Sequence, residues 1–320
     1  MIFIRIKNEK YMKKIKSKLT NYILIFCKII LFILLILLKK INSNKIFKKR
    51  TDNKRCYLSP EISNKKIIHI IITRFMMDFY KLNGFDKKIF TKEYIENGIR
   101  VIKKYLFPSL QYQSCQDFIW MLNIGDKVNI TYLKSKINFK SSFKLIIVYN
   151  KDKKDLIKNI TKNADVLITT RIDYDDRIYY DAVNDVRKTI NMSQPMFLFG
   201  YTKGFIYYED FDIYHEFFHR WNKEGAMSIF ESLIILTNKV NDLYTIYDIG
   251  DHRKIRSKLI KNYKKYGLEK LDYEPALFET DIPKFVWVRQ KYSGSFKYNG
   301  KPKKKQTIFF DLNKFYGLKK

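Results

Sequence analysis

The chain of 320 residues is poor in cysteine, glycine and proline, and each shortage narrows what the protein can be. It has 3 Cys, 11 Gly and 6 Pro. Three cysteines without a C-x-x-C pair exclude a disulfide-rich scaffold. No glycine-rich phosphate loop is present. Aromatic residues make up 16% of the chain, which together with the low Gly and Pro content favours a packed globular core over disorder.

Acidic residues are also scarce, because 63 Lys and Arg outnumber 32 Asp and Glu and give a formal net charge of +31. Most of this excess lies at the two ends of the chain. Residues 1–66 carry a net charge of +15 and residues 297–320 carry +7, which leaves +9 for the body. No basic face with interleaved base-stacking aromatics stands out there. We therefore expect no nucleic acid among the partners.

One long apolar run lies near the N-terminus, at residues 22–38, and Lys28 is its only charged residue. A membrane-spanning helix needs about 17–25 apolar residues. The long basic segment before the run, and the lack of small residues after it, favour an uncleaved signal anchor over a cleaved signal peptide. We expect a single-pass membrane protein in a type II-like orientation, although lysines at both ends of the run leave its direction open.

The sequence then predicts five segments. They are a basic N-terminal segment (1–21), a transmembrane signal anchor (22–38), a stem (39–66), a catalytic domain (67–296) and a basic C-terminal tail (297–320). Cys56 lies in the stem and Cys115 in the domain. These two cysteines can pair if the domain faces an oxidising compartment, and the sequence leaves that open.

Short apolar runs alternate with helical patterns at the start of the predicted domain. The predicted strands are residues 66–73, 118–122, 143–149 and 164–170, and the predicted helices are residues 93–106, 127–137 and 151–163. Continuous Ile, Val and Leu runs predict an α/β fold with a mainly parallel central sheet covered on both faces. Ligands of such sheets bind at the carboxyl ends of the strands. Candidate loops therefore begin at Thr73, Leu122 and Thr170.

An acidic turn with three carboxylates, Asp173, Asp175 and Asp176, follows the fourth predicted strand directly. These carboxylates repel one another, and a divalent cation that bridges them to a diphosphate relieves the repulsion. We expect Mn²⁺ or Mg²⁺ here, where it would stabilise the charge on a leaving nucleoside diphosphate. Arg171 and Arg177 flank the turn and are predicted to contact phosphate. The structural alternative is a solvated turn that caps the next helix.

The sequence TTRIDYDD at residues 169–176 resembles the T-R-x-D-x-D-D element of a bacterial rhamnosyltransferase family within the GT-A glycosyltransferases. Further short elements fall in the same order, at residues 73–75, 107–120, 200–201 (after a fifth strand) and 251–257, so the resemblance covers about 67–295. It implies a GT-A-like nucleotide-diphospho-sugar transferase fold. The implied activity is metal-dependent transfer of rhamnose or another hexose from a nucleotide-sugar donor to a hydroxyl of a glycan, protein or lipid acceptor.

The resemblance also implies roles for individual residues. The metal ligands would be Asp173, Asp175 and Asp176, and Asp175 and Asp176 are the predicted catalytic residues. The predicted donor-binding residues are Thr73, Arg74, Arg171, Asp173, His252 and Arg256. A catalytic base is not identified, and the candidates are Asp210, Asp212, Glu216, Glu224 and Glu231.

A second metal motif, His215-Glu216-x-x-His219, matches H-E-x-x-H. On a helix its two histidines would share one face and bind Zn²⁺, with the glutamate as general base. Because the H-x-x-G-x-x-H extension is missing, we predict an aromatic-rich amphipathic helix without metal here. A zinc metallopeptidase and a non-catalytic membrane-tethered α/β module remain the alternative functions. His69, inside an apolar strand, is expected to be a core residue.

Overall fold

The structure is a computed structural model. It describes residues 56–57, 59–77, 91–209, 213–218, 230–240, 242–250, 255, 258–259, 264, 276–278 and 284–289. The predicted anchor and the basic tail lie outside these residues, as do His219, His252 and Arg256. Within the described ranges, no helix combines the length and the apolar character that a bilayer crossing requires.

Eleven strands are described. In chain order they are β1 (Ile67–Phe75), β2 (Ile119–Ile124), β3 (Lys144–Tyr149), β4 (Val166–Arg171), β5 (Arg177–Ile178), β6 (Met196–Tyr201), β7 (Lys203–Tyr208), β8 (Ile213–Phe218), β9 (Glu231–Leu236), β10 (Ala276–Phe278) and β11 (Phe285–Arg289). The described helices are α1 (Lys92–Lys104), α2 (Leu106–Gln111), α3 (Ile130–Lys136), α4 (Lys153–Thr161), α5 (Ala182–Lys188) and α6 (Ile246–Ile249).

Seven strands form a central sheet in the order β10-β6-β9-β4-β1-β2-β3. The pairs β1–β2, β1–β4, β2–β3 and β6–β10 are parallel, whereas β9 is antiparallel to both of its neighbours. The predicted mixed α/β fold with a mainly parallel central sheet is therefore confirmed. The four strands predicted first by their apolar runs are β1 to β4, and their bounds differ from the predictions by a few residues at most.

The two faces of the central sheet are covered by different helices, because successive strand residues point to opposite faces. Ile71 and Phe75 of β1 lie in a core that includes residues of α1, α2, α3 and α5. Ile70 and Ile72 lie in a second core with residues of α4 and α6. The long predicted helix at 93–106 is two helices, α1 and α2, and α1 begins after Thr91, whose hydroxyl accepts a hydrogen bond from Tyr94 N.

The sheet order places a change of chain direction next to β1. The chain runs from β1 outward through β2 to β3 and then returns to the other side of β1 as β4. In open α/β sheets such a point leaves a crevice between the carboxyl ends of the two diverging strands, and ligands bind there. The ends of β1 and β4 are therefore the first place to examine for a site.

A second sheet has the order β5-β11-β7-β8. Two expectations are corrected, one by this sheet and one by strand β6 of the central sheet. The H-E-x-x-H motif was predicted to lie on a helix, but Ile213–Phe218 is strand β8, paired antiparallel to β7 with His215 opposite Ile206. Aromatic and β-branched residues favour strands, and here the ladder with β7 overrides the helical spacing. Gly200 and Tyr201, expected after the fifth strand, are the last residues of β6.

One disulfide joins Cys56, before β1, to Cys115, which precedes β2. The two Cα atoms are 4.5 Å apart, and the cysteines are 59 residues apart in the sequence. Cys115 is fully buried beside the core that contains Trp120. The pairing that the sequence left open is thus present, and it ties the end of the predicted stem to the α/β fold.

Candidate functional site

Two threonine hydroxyls fix the end of β4. Thr169 Oγ1 accepts a hydrogen bond of 2.9 Å from the backbone N–H of Ile246, the first residue of α6. Thr170 Oγ1 lies 2.8 Å from His69 Nε2 and 2.6 Å from Ser232 Oγ, so it links β4 to β1 and β9. The Thr-Thr pair before the acidic turn therefore anchors the strand that leads into the turn.

His69 is the core residue that the sequence predicted. It is 2% exposed, and burial holds the pKa of its imidazole well below the ordinary value. The ring is therefore neutral at physiological pH. Its Nδ1 atom has no hydrogen-bond partner among the residues described.

The acidic turn is largely buried rather than solvated. Asp175 is 8% exposed and Asp176 is fully buried, while the side chain of Asp173 is 44% exposed. Asp176 Oδ1 accepts a hydrogen bond of 3.2 Å from Val288 N in β11, and Asp176 N donates one of 3.2 Å to Asp173 O. The alternative of a solvated, helix-capping turn is wrong for the two buried carboxylates, because the next helix, α5, begins only after Asp181.

The three carboxylates have different neighbours. Asp173 Oδ1 lies 3.9 Å from Arg171 Nη2. Asp175 is close enough to Tyr94 that its charge, after burial, helps to raise the pKa of that phenol. Asp176 is bonded to the backbone of β11. Across the described ranges, no group of three or more His, Cys, Asp and Glu side chains is arranged to hold a metal ion. A metal at this turn would therefore have one or two protein carboxylates and would depend on phosphate oxygens for its other ligands.

Two predicted donor-binding arginines meet at a tyrosine that the sequence did not single out. The guanidinium carbon of Arg74, at the end of β1, is 3.7 Å from the ring centroid of Tyr247 in α6. The guanidinium carbon of Arg171, at the end of β4, is 5.1 Å from the same centroid. The Tyr247 hydroxyl donates a hydrogen bond of 3.4 Å to Ile72 O. These residues occupy the crevice between the diverging strands β1 and β4.

Tyr247 is buried and surrounded by charge. Burial raises the pKa of its phenol to about 12, and the positive charge of Arg171 is the largest effect in the opposite direction. Asp173 and Asp176 raise this pKa as well, and Arg74 lowers it. The same phenol is therefore within electrostatic reach of both arginines and of two of the three acidic residues.

A capping box fixes the position of Tyr247. The Asp248 carboxylate accepts hydrogen bonds of 2.7 Å from the backbone N–H and from the hydroxyl of Thr245. Lys153 Nζ, in α4, lies 3.1 Å from the same carboxylate. The T-x-x-D spacing at 245–248 is a sequence signal for a helix start that leads to Tyr247.

Thr73 and Arg177 lie elsewhere. Thr73 is fully buried, and its hydroxyl accepts a hydrogen bond of 3.1 Å from Trp120 Nε1, on the sheet face opposite to Arg74. Arg177 has its guanidinium carbon 4.6 Å from the ring centroid of Tyr105 and 5.9 Å from that of Tyr207. Burial lowers the pKa of Arg177. Of the two arginines that flank the turn, only Arg171 lies beside Asp173 and Tyr247.

The remaining predicted residues are described only in part. His252 and Arg256 lie outside the described residues, as do Asp210, Asp212 and Glu224. Of the candidate bases, Glu231 is described in most detail. It is the first residue of β9, it is 4% exposed, and its Cα is paired with those of Arg171 and Gly200. Glu231 is thus the candidate base that the fold brings to the end of β4.

Comparison with known proteins gives one family. A profile described as "Putative rhamnosyl transferase" matches residues 73–232, half of the chain, from the end of β1 to β9 and through the acidic turn. No protein of curated function matches the chain.

Solved structures resemble it more distantly. The inositol-1-phosphate CTP transferase from T. maritima has a TM-score of 0.35 and 10% identity, covering 70% of this chain and 89% of its own. HddC from Yersinia pseudotuberculosis has a TM-score of 0.35 and 15% identity, covering 68% and 92%. Likeness at this level assigns no activity.

Proposed function

Because the chain belongs to the family described as "Putative rhamnosyl transferase", we propose that it is a glycosyltransferase. It moves rhamnose or another hexose from a nucleotide-sugar donor to an acceptor hydroxyl of a glycan, protein or lipid. The observation that carries this proposal is the burial of Asp175 and Asp176 in the turn after β4. Carboxylates at the carboxyl end of a strand can share a divalent cation with phosphate oxygens, and this position is where ligands of α/β sheets bind.

The proposal includes a GT-A-like fold for the predicted catalytic domain. The parallel strands β3-β2-β1-β4 provide the edge at which a nucleotide would bind. The antiparallel strand β9 begins at this edge with Glu231, opposite Arg171. A base is needed if the transfer inverts the anomeric centre, and Glu231 is the first candidate to test.

The residues present fit a divalent cation held jointly with a diphosphate. Asp173 has the most accessible carboxylate, and it would share Mn²⁺ or Mg²⁺ with Asp175 or Asp176 and with phosphate oxygens. Such a cation, when bound, neutralises negative charge on the leaving diphosphate. Arg74 and Arg171 would contact the same phosphates, and the bond between Asp176 and Val288 N would keep the turn in shape. His252 and Arg256 remain proposed donor contacts.

We further propose that the catalytic domain lies on the oxidising side of a membrane, behind the predicted anchor at 22–38. The Cys56–Cys115 disulfide supports this, because disulfides persist in oxidising compartments and are rare in the cytosol. The orientation is the type II-like one, with the N-terminal segment in the cytoplasm.

The zinc peptidase is the weaker candidate, because strand β8 lacks the helical face that H-E-x-x-H requires. Zinc binding by the wild type and by His215→Ala tests this candidate directly. A full-length protein that binds Zn²⁺ stoichiometrically, and loses it in His215→Ala, would be a zinc protein and not the proposed transferase.

The experiment that tests the proposed function is a donor panel on the full-length protein in detergent. Thermal shift is measured with UDP-, GDP- and dTDP-sugars in the presence of Mn²⁺ or Mg²⁺, and the measurement is repeated on Asp175→Asn. We expect one nucleotide class to stabilise the wild type, and the variant to lose that shift. If no nucleoside diphosphate binds with any metal, the protein is better explained as a non-catalytic module.

A further inference from the structure

The contact between Tyr247 and two arginines is unusual for its charge arrangement. Arg74 and Arg171 come from neighbouring parallel strands, and both guanidinium groups lie within 5.1 Å of one ring centroid. Two like charges so close to one ring repel each other. The negative face of an aromatic ring attracts both, and the attraction is stronger where water is excluded. Tyr247 is 7% exposed and Arg171 is 6% exposed, whereas Arg74 is partly exposed, so this condition is met for the ring and for Arg171.

The register of the sheet explains why a ring is needed at this position. The Cα of Arg171 is paired with that of Ile72, two residues before Arg74, so the two arginines start from staggered positions on one sheet face. A long side chain in such a position has several rotamers, and contact with the ring favours those that bring both guanidinium groups to Tyr247. The ring is itself fixed, because the Thr245–Asp248 capping box sets the start of α6 and the Tyr247 hydroxyl is bonded to Ile72 O.

We propose that Tyr247 is a positioning residue for donor binding, whose ring holds the guanidinium groups of Arg74 and Arg171 together as one site for the diphosphate of the donor nucleotide. This inference rests on the proposed function, because it is that function which supplies a nucleoside diphosphate to the crevice. The ring does the positioning, and the hydroxyl only helps to fix the ring. Arg74 and Arg171 then act as a unit, so the loss of the ring and the loss of one arginine have effects that are not additive.

The test measures the affinity of the full-length protein for UDP, GDP and dTDP with Mn²⁺ by calorimetry, using a graded series at position 247. Tyr247→Phe keeps the ring, and we expect its affinity to stay within about threefold of the wild type. Phenylalanines with one, two and three ring fluorines then replace it, because each fluorine weakens the negative face with little change in shape. We expect the affinity to fall with each fluorine, by about tenfold in total.

Tyr105 provides the matched control, because its ring centroid lies 4.6 Å from the guanidinium carbon of Arg177. The same fluorinated series at position 105 should leave nucleotide affinity unchanged and lower only the melting temperature. A double-mutant cycle of Tyr247→Leu with Arg74→Gln should show a combined loss smaller than the sum of the two single losses.

The outcomes separate the inference from the proposed function. If the wild type binds none of the three nucleotides, the proposed function fails, and the positioning role fails with it. If the wild type binds one of them and all fluorinated variants bind it equally well, Tyr247 is not a positioning residue, although the transferase proposal stands. The fluorinated series decides the question even if Tyr247→Leu does not fold, because these variants keep the shape of the ring.

Discussion

The acidic turn separates two regions, each of which contains an arginine in contact with a tyrosine ring, but the surroundings of the two arginines differ. On one side, Arg171 lies beside Tyr247, with Asp173 3.9 Å away and partly exposed. On the other side, Arg177 lies against Tyr105 and Tyr207, where burial lowers its pKa. Only five residues separate the two arginines in the sequence. In the proposed function the first region accepts an anion, whereas the second is an interior packing arrangement.

The difference teaches that the partly exposed carboxylate of Asp173 beside Arg171, rather than the Arg–Tyr contact, distinguishes the proposed binding region. Tyr105 is fully buried in a core with Val286 and Val288 of β11. Tyr247, by contrast, lies among four charged residues of the crevice. Substitutions in the first region should therefore alter binding and activity, and substitutions in the second should alter stability. The predictions below test this division.

The largest effect is expected from Asp175→Asn. The amide has the shape of the carboxylate but not its charge, so the fold should persist while the stabilisation of the leaving diphosphate is lost. Removing one preorganised electrostatic group typically lowers kcat by about 10²–10³-fold. Sugar transfer by the full-length protein measures the loss. Asp155→Asn, at an exposed position of α4, is the matched control and should keep full activity. Equal activity of the two variants would remove the acidic turn from the mechanism.

The second prediction sets Arg177→Gln against Arg171→Gln. Arg177→Gln removes a buried group from among aromatic rings, and we expect the free energy of unfolding to fall by about 3 kcal/mol. Arg171→Gln should lower the affinity for the donor nucleotide by about tenfold or more. Its free energy of unfolding should fall by less than that of Arg177→Gln. Urea denaturation and calorimetry measure the two quantities. The division between the regions would be wrong if both variants lost the same property.

The sequence predicts the parallel half of the fold well, because β1 to β4 are continuous apolar runs and such runs are visible in the local sequence. Strand β8 was assigned as a helix, since its IYHEFF sequence gains strand structure only through the ladder with β7. The Cys56–Cys115 pair depends on tertiary approach across 59 residues, which no local pattern encodes.

For the candidate site, the sequence predicts the acidic turn and both arginines of the crevice, because they follow directly from strand ends. The acidic turn by itself did not separate Arg171 from Arg177, since their local contexts are alike and their surroundings come from distant elements; only the family resemblance singled out Arg171. The sequence also missed Tyr247, which reaches the crevice from α6, beyond β9 in the sequence. A site assembled from separate segments is visible in sequence only where each segment carries its own signal.

The third prediction concerns the Cys56–Cys115 disulfide, which lies outside both regions. Replacing both Cys56 and Cys115 with serine removes a cross-link over 59 residues. The free energy of unfolding should fall by about 4 kcal/mol, chiefly because the unfolded chain gains conformational freedom. The affinity for the donor nucleotide should stay unchanged at temperatures where the variant is folded. A loss of affinity in the folded variant would mean that the binding region extends to the disulfide.

The smallest effect concerns pH, and it compares Tyr247 with its counterpart Tyr105. Because burial raises the pKa of Tyr247 to about 12, the folded state holds this proton more tightly than the unfolded chain, whose tyrosines titrate near pH 10. The resulting stability is complete below pH 10 and is lost as the pH rises toward about 12. At pH 11 the wild type should have lost about 1 kcal/mol more than Tyr247→Phe, relative to pH 8. Urea denaturation at the two pH values measures the difference.

Burial raises the pKa of Tyr105 as well, and Glu209 raises it further. Tyr105→Phe should therefore reduce the loss of stability at pH 11 by at least as much as Tyr247→Phe does. If Tyr247→Phe and the wild type have the same pH dependence, the phenol titrates normally, and the crevice is more open to water than the fold indicates.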